Sequence, residues 1–64
     1  MLYWVQLYDT EDMSYVEISR ISSTLERLIK DMEAVTKCYN RHGYNINKVR
    51  IFNGNKKLLV DYNL

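Results

Sequence analysis

Apolar and polar residues alternate with a period of two in four segments of the chain, residues 2–8, 13–20, 47–52 and 57–62. Such alternation is typical of strands that bury one face. It predicts two strands before a central segment and two strands after it. The residues that we expect to face the core are Val5, Leu7, Val16, Ile18, Val49, Ile51, Leu58 and Val60.

The central segment changes to helical spacing, with apolar or aromatic residues recurring every three or four positions. The stripe consists of Leu25, Leu28, Ile29, Met32, Val35, Tyr39 and His42. Ser23 and Glu26 fit a capping box, and Gly43 fits a C-terminal cap. These signals predict a helix over about residues 24–42.

The order ββαββ predicts an α+β fold, in which one long helix packs on one face of a four-stranded antiparallel sheet. One alternative stays open at this point. In this alternative, residues 13–20 run into a helix that begins near Ile18, which would leave a βαββ order and remove Tyr15 from the sheet.

Strand pairing follows from the rule that directly opposed residues share a face. A turn at residues 11–12 pairs Leu7 with Val16 in the first hairpin. In the second hairpin, Asn53-Gly54 favours a two-residue turn, whereas a four-residue loop over 53–56 brings more favourable pairs together. Those pairs are Ile51 with Leu58, Val49 with Val60 and Lys48 with Asp61. We favour the four-residue loop because cross-strand packing and charge both support it.

The outer face, meaning the sheet face away from the helix, carries an unusual number of large apolar residues. They are Trp4, Tyr8, Tyr15, Phe52 and Leu59, with Arg50 among them. Aromatic residues and arginine are enriched where binding energy concentrates in protein interfaces. We therefore expect this set to contact a protein partner or a second copy of the chain.

Length and composition favour a single domain over residues 1–64 that associates with itself. A core of this size is marginal, and the single cysteine, Cys38, excludes an internal disulfide. A homodimer is the expected remedy. The lone thiol and the lack of a signal peptide or of a long apolar run indicate a cytoplasmic protein with no membrane partner.

Charge is unevenly distributed although the net charge is only +1. The first 32 residues hold three basic and six acidic side chains, and the remaining 32 hold six and two. Lys48, Arg50 and Lys57 lie near the outer aromatic residues, a combination found on surfaces that stack nucleotide bases. Nucleic-acid binding is therefore the alternative function, although the RNP motif is absent and acidic residues share the face.

Catalytic and metal-binding signals are weak. Cys38 and His42 lie four residues apart on the predicted helix, but two ligands are too few for a zinc site. A Cys-His nucleophilic pair also needs an orienting group and an oxyanion site, which a helix surface seldom supplies. We expect no enzyme activity, no metal and no cofactor.

In size and style the chain resembles the short accessory proteins of bacterial viruses, including inhibitors of host defence systems. The shared features are an initial Met1, a body rich in Asn, Lys and Tyr without proline, and no catalytic residue set. The resemblance is to a broad class and transfers no site. It implies a stoichiometric inhibitor that binds a host protein, in the host cytoplasm if the chain is viral.

Overall fold

Four strands and one helix make up the computed structural model, which covers residues 1–64. The elements are β1 (Leu2–Asp9), β2 (Ser14–Ile21), α1 (Leu25–Arg41), β3 (Ile46–Phe52) and β4 (Leu58–Asn63). The strands form one antiparallel sheet in the order β2-β1-β3-β4. The predicted α+β, ββαββ arrangement is confirmed. The alternative helix start near Ile18 is wrong, because β2 stays paired with β1 as far as Ile21.

The core lies between the sheet and one side of α1. Its buried members are Tyr3, Val5, Leu7, Leu28, Met32, Ile46, Val49 and Ile51. Val16, Ile18 and Val60 are partly buried against this cluster, as predicted for strand residues that face the helix. The prediction for Leu58 is wrong, since its side chain is 45% exposed. No helix of this fold combines the length and the apolar character needed to cross a membrane.

A bulge in β4 explains why Leu58 leaves the core. Ile51 pairs with Val60, but its neighbour Phe52 pairs with Leu58, so that Leu59 is an extra residue in β4. A bulge of this kind breaks the alternation of faces along the strand. The pairing predicted for the second hairpin is therefore wrong.

The connection between β3 and β4 has five residues, 53–57, so both the two-residue and the four-residue loops are wrong. Asn53 N donates to Lys57 O at 2.9 Å, and Lys56 N donates to Asn53 O at 2.9 Å. Lys56 has a φ of 64°, a backbone conformation that residues other than glycine seldom adopt. These two backbone hydrogen bonds hold the turn around Lys56, whose backbone is in the left-handed conformation.

The first hairpin has the predicted register, with Leu7 opposite Val16. Asp9 is buried at the end of β1, where its Oδ1 accepts hydrogen bonds from Glu11 N at 3.0 Å and Asn45 N at 3.1 Å. One carboxylate therefore joins the β1–β2 turn to the segment that precedes β3.

Helix α1 is one residue shorter at each end than predicted. The N-cap is Thr24, whose Oγ1 accepts a hydrogen bond from Arg27 N at 3.1 Å, so the Ser23 capping box is wrong by one position. At the other end, Gly43 N donates to Asn40 O and Tyr44 N donates to Tyr39 O, the two bonds of a Schellman motif. The predicted role of Gly43 is confirmed by its φ of 102°.

Candidate interaction surface

The pairing of the strands sets the outer-face residues in rows across the sheet. Trp4 lies opposite Phe52 on β3 and Ser19 on β2. Tyr8 lies opposite Tyr15, and the centroids of these two rings are 5.0 Å apart. Two aromatic pairs therefore lie on the same face as the sequence predicted, one toward each end of β1.

One end of the outer face is rich in apolar residues, most of them exposed. We call it the apolar corner and define it as Leu2, Trp4, Ile21, Phe52, Leu58 and Leu59. Leu2 pairs with Ile21, and their side chains are 42% and 82% exposed. Leu59 in the bulge is 39% exposed. Contiguous exposed apolar groups of this kind mark interaction sites more often than isolated ones do.

The sequence did not predict Leu2 and Ile21 as outer-face residues. The predicted second strand ended one residue before Ile21, and Leu2 was assigned to neither face of the sheet. The signal that was available is simple parity, since Leu2 has the same parity as Trp4. Ile21 acquires its position only from the pairing with Leu2 across the hairpin.

Lys56 folds back from the β3–β4 loop over the outer face. Its Nζ lies 4.2 Å from the centroid of the Trp4 ring and 3.0 Å from Glu17 Oε1. The ammonium group thus makes a cation–π contact and an ion pair at once. Lys57, which the sequence predicted at the start of the last strand as a possible nucleic-acid contact, lies in this loop, is exposed and forms no ion pair.

A charged row separates the two aromatic pairs. Asp61 Oδ2 is 3.9 Å from Arg50 Nε, and its Oδ1 is 3.5 Å from Lys48 Nζ. The Arg50 guanidinium lies 5.3 Å from the centroid of the Tyr15 ring, and its Nε is buried without a hydrogen-bond partner. One carboxylate therefore offsets two of the three basic side chains that the nucleic-acid alternative requires.

The thiol of Cys38 on α1 and the imidazole of His42, the C-cap of that helix, are close but badly arranged for catalysis. Cys38 Sγ is 4.0 Å from His42 Nδ1, whereas Nδ1 is only 2.8 Å from the Cys38 carbonyl oxygen. A carbonyl only accepts, so Nδ1 carries the proton and is not a base for the thiol. Cys38 also lines an open cleft of about 230 Å³ with Arg20, Val35 and Tyr39.

No three His, Cys, Asp or Glu side chains are grouped so that they could hold a metal ion. Comparison of the chain with models of protein families, with curated proteins and with solved structures found no match. The chemistry of the surface itself is therefore the basis for a functional proposal.

Proposed function

We propose that this chain is a small protein-interaction module that acts by binding and not by catalysis. The observation that carries the proposal is the apolar corner, in which Trp4 and Phe52 are neighbours and Leu2, Ile21, Leu58 and Leu59 are exposed around them. Burying such a surface against a partner would gain roughly 25 cal/mol for each Å² removed from water.

The charged row beside the apolar corner supports specificity of this binding. Arg50 lies between Asp61 and the Tyr15 ring, and Lys56 lies between Glu17 and the Trp4 ring, so these charged side chains already have partners in their own chain before binding. Preorganised polar groups around an apolar centre reduce the ordering cost of association. A protein with an apolar patch of its own is the partner that suits this arrangement.

The resemblance to accessory proteins of bacterial viruses indicates which partner to seek. In that class a short protein binds a host protein and blocks it stoichiometrically. We accordingly propose a bacterial protein, for example one with a role in defence, as the target of the outer face. A second copy of the chain is a further expected partner.

Affinity capture from a bacterial lysate with matched surface variants tests the proposal. Leu59→Asp introduces a charge into the apolar corner, whereas Ala34→Asp introduces the same charge at an exposed position of α1. Wild type and Ala34→Asp should retain the same protein, identified by mass spectrometry, and Leu59→Asp should lose it. Circular dichroism checks that both variants are folded.

Two outcomes would count against the proposal. One is capture that Leu59→Asp leaves unchanged, and the other is a captured protein that Ala34→Asp also loses. Nucleic-acid binding predicts something different, namely retention of oligonucleotides that weakens steeply as the salt concentration rises.

A further inference from the structure

The two edges of the sheet differ in how well they are protected against pairing with another strand. β2 is paired with β1 over all eight residues without a register shift, so its other side presents a regular row of backbone groups, of which the Ser19 carbonyl accepts a hydrogen bond from Arg20 Nη1 of the same chain at 3.0 Å and would exchange it for a strand partner. Its sequence, SYVEISRI, contains neither proline nor lysine, two residues that natural proteins often place on an edge strand to block pairing, although it does carry the charged residues Glu17 and Arg20.

The opposite edge, β4, is short and irregular. It has six residues, a bulge at Leu59 and an acidic side chain, Asp61, near its middle. Charged side chains occur on both edges, but the bulge and the short length of β4 discourage edge pairing there and have no counterpart in β2. Of the two edges, β2 is therefore the one on which a further strand fits.

We propose that β2 pairs antiparallel with β2 of a second copy, about a two-fold axis normal to the sheet. The result is a continuous eight-stranded sheet with both helices on one side. This proposal rests on the proposed function only in taking a second copy as one partner of the module. Closed two-fold dimers are also the commonest homo-oligomers.

The register of this pairing follows from facing and charge. Val16 and Ile18 face the helix, so residues that pair across the axis must have the same parity. Two such registers pair seven residues of each strand. One sets Glu17 against Glu17 of the second copy, which like-charge repulsion disfavours.

The other register sets Ile18 on the two-fold axis and Glu17 against Ser19 of the second copy. It also sets Tyr15 against Ile21, so the side chain that is 82% exposed in the single chain meets an aromatic ring. Aromatic and β-branched residues are favourable cross-strand pairs. We therefore assign the dimer to this register.

Placing a positive or a negative charge at Ser19 tests the register directly. Ser19 is exposed, and in the proposed dimer each of its two copies faces Glu17 of the other chain. By analytical ultracentrifugation, the wild type should show a monomer–dimer equilibrium. Ser19→Lys should tighten the dimer and Ser19→Glu should weaken it, each by about fivefold in dissociation constant for two symmetric contacts.

Disulfide trapping in a Cys38→Ser background distinguishes the registers. A mixture of Glu17→Cys and Ser19→Cys chains should cross-link, whereas Glu17→Cys alone should not. Cross-linking of Glu17→Cys alone would overturn the assigned register. A wild type that stays monomeric at every concentration would overturn the dimer, and Ser19 variants that dimerise equally well would overturn the assigned register.

Failure of the dimer and failure of the proposed function are distinguishable. Leu59 lies in β4, at the opposite edge of the sheet from β2. Leu59→Asp should therefore leave the dimer intact while partner capture is lost. If the wild type is a monomer that still captures a partner in a Leu59-dependent manner, only the dimer inference fails.

Discussion

The side-chain amide of Asn40 makes hydrogen bonds to both backbone polar groups of Ile46. Asn40 Oδ1 accepts from Ile46 N at 2.6 Å, and Nδ2 donates to Ile46 O at 3.3 Å. The last turn of α1 is thereby joined to the first residue of β3. The amide thus supplies hydrogen-bond partners for both backbone polar groups of the residue at which β3 begins.

Asn40→Ala should lower the free energy of unfolding by about 1–2 kcal/mol, because it leaves two backbone groups near the core without partners. Asn40→Asp keeps the acceptor and loses the donor, so its loss should be smaller. Urea unfolding provides the measurement. Asn45→Ala serves as the control, since only the backbone of Asn45 makes hydrogen bonds; equal losses at both positions would contradict the role of the amide.

Asp9 should be the most sensitive acidic position in the chain. Asp9→Ala removes the acceptor for Glu11 N and Asn45 N and should cost about 2 kcal/mol, since these bonds are charge-assisted and the carboxylate that accepts them is buried. Asp12→Ala changes an exposed acid in the same turn and should have little effect. Thermal unfolding compares the two, and a similar melting temperature for both would refute this reading of Asp9.

Removing the Lys56 side chain should uncover the only tryptophan of the chain. Lys56→Gly is expected to raise the quenching of Trp4 fluorescence by acrylamide, whereas Lys57→Gly should not. Stability should change by less than about 1 kcal/mol, because glycine relaxes the left-handed backbone while the cation–π contact is lost. Unchanged quenching would show that Lys56 does not cover the ring in solution.

Tyr62 should make stability depend on pH in alkaline solution. Burial raises the pKa of its hydroxyl above the ordinary value of 10.0, and the negative charge of Glu33 adds to the rise. The folded state then binds this proton more tightly than the unfolded state. The resulting contribution to the free energy of unfolding is complete below the pKa of Tyr62 in the unfolded state, and it disappears as the pH rises through the pKa of Tyr62 in the folded state.

We therefore expect the free energy of unfolding to fall above a pH of about 10, and to fall less steeply in Tyr62→Phe. Glu33→Gln should lower the pKa of Tyr62, as measured by tyrosinate absorbance against the Tyr62→Phe background. A Tyr62→Phe protein with the same alkaline dependence as the wild type would assign the effect to other groups.

The two hairpins show where sequence reasoning succeeds and where it stops. In the first, the apolar parity and the polar turn lead to one register, and Leu7 pairs with Val16 as predicted. In the second, parity assumes an unbroken ladder, and the extra residue Leu59 invalidates it. A bulge changes no local composition, so only the folded sheet reveals it.

The same limit applies to single positions. Thr36 is polar and was left outside the predicted stripe, yet it is buried, and its hydroxyl is satisfied there by donating to Met32 O at 2.8 Å. His42 was placed on the stripe and is exposed as the C-cap. Trp4, Tyr8, Tyr15, Phe52 and Leu59 were predicted for the outer face from alternation alone, whereas Leu2, Ile21 and Leu58 were not. The position of Lys56 over Trp4 depends on a loop whose length the sequence did not define.

The strand order has a consequence for synthesis. β1 is made before β3 but lies in the middle of the sheet, between β2 and β3. While the helix is being made, the β1–β2 hairpin has an apolar face uncovered and a second side of β1 unpaired. Such exposed surfaces invite association with other chains. The nascent protein thus depends on rapid completion of its C-terminal hairpin, and slow translation after α1 would be its most hazardous interval.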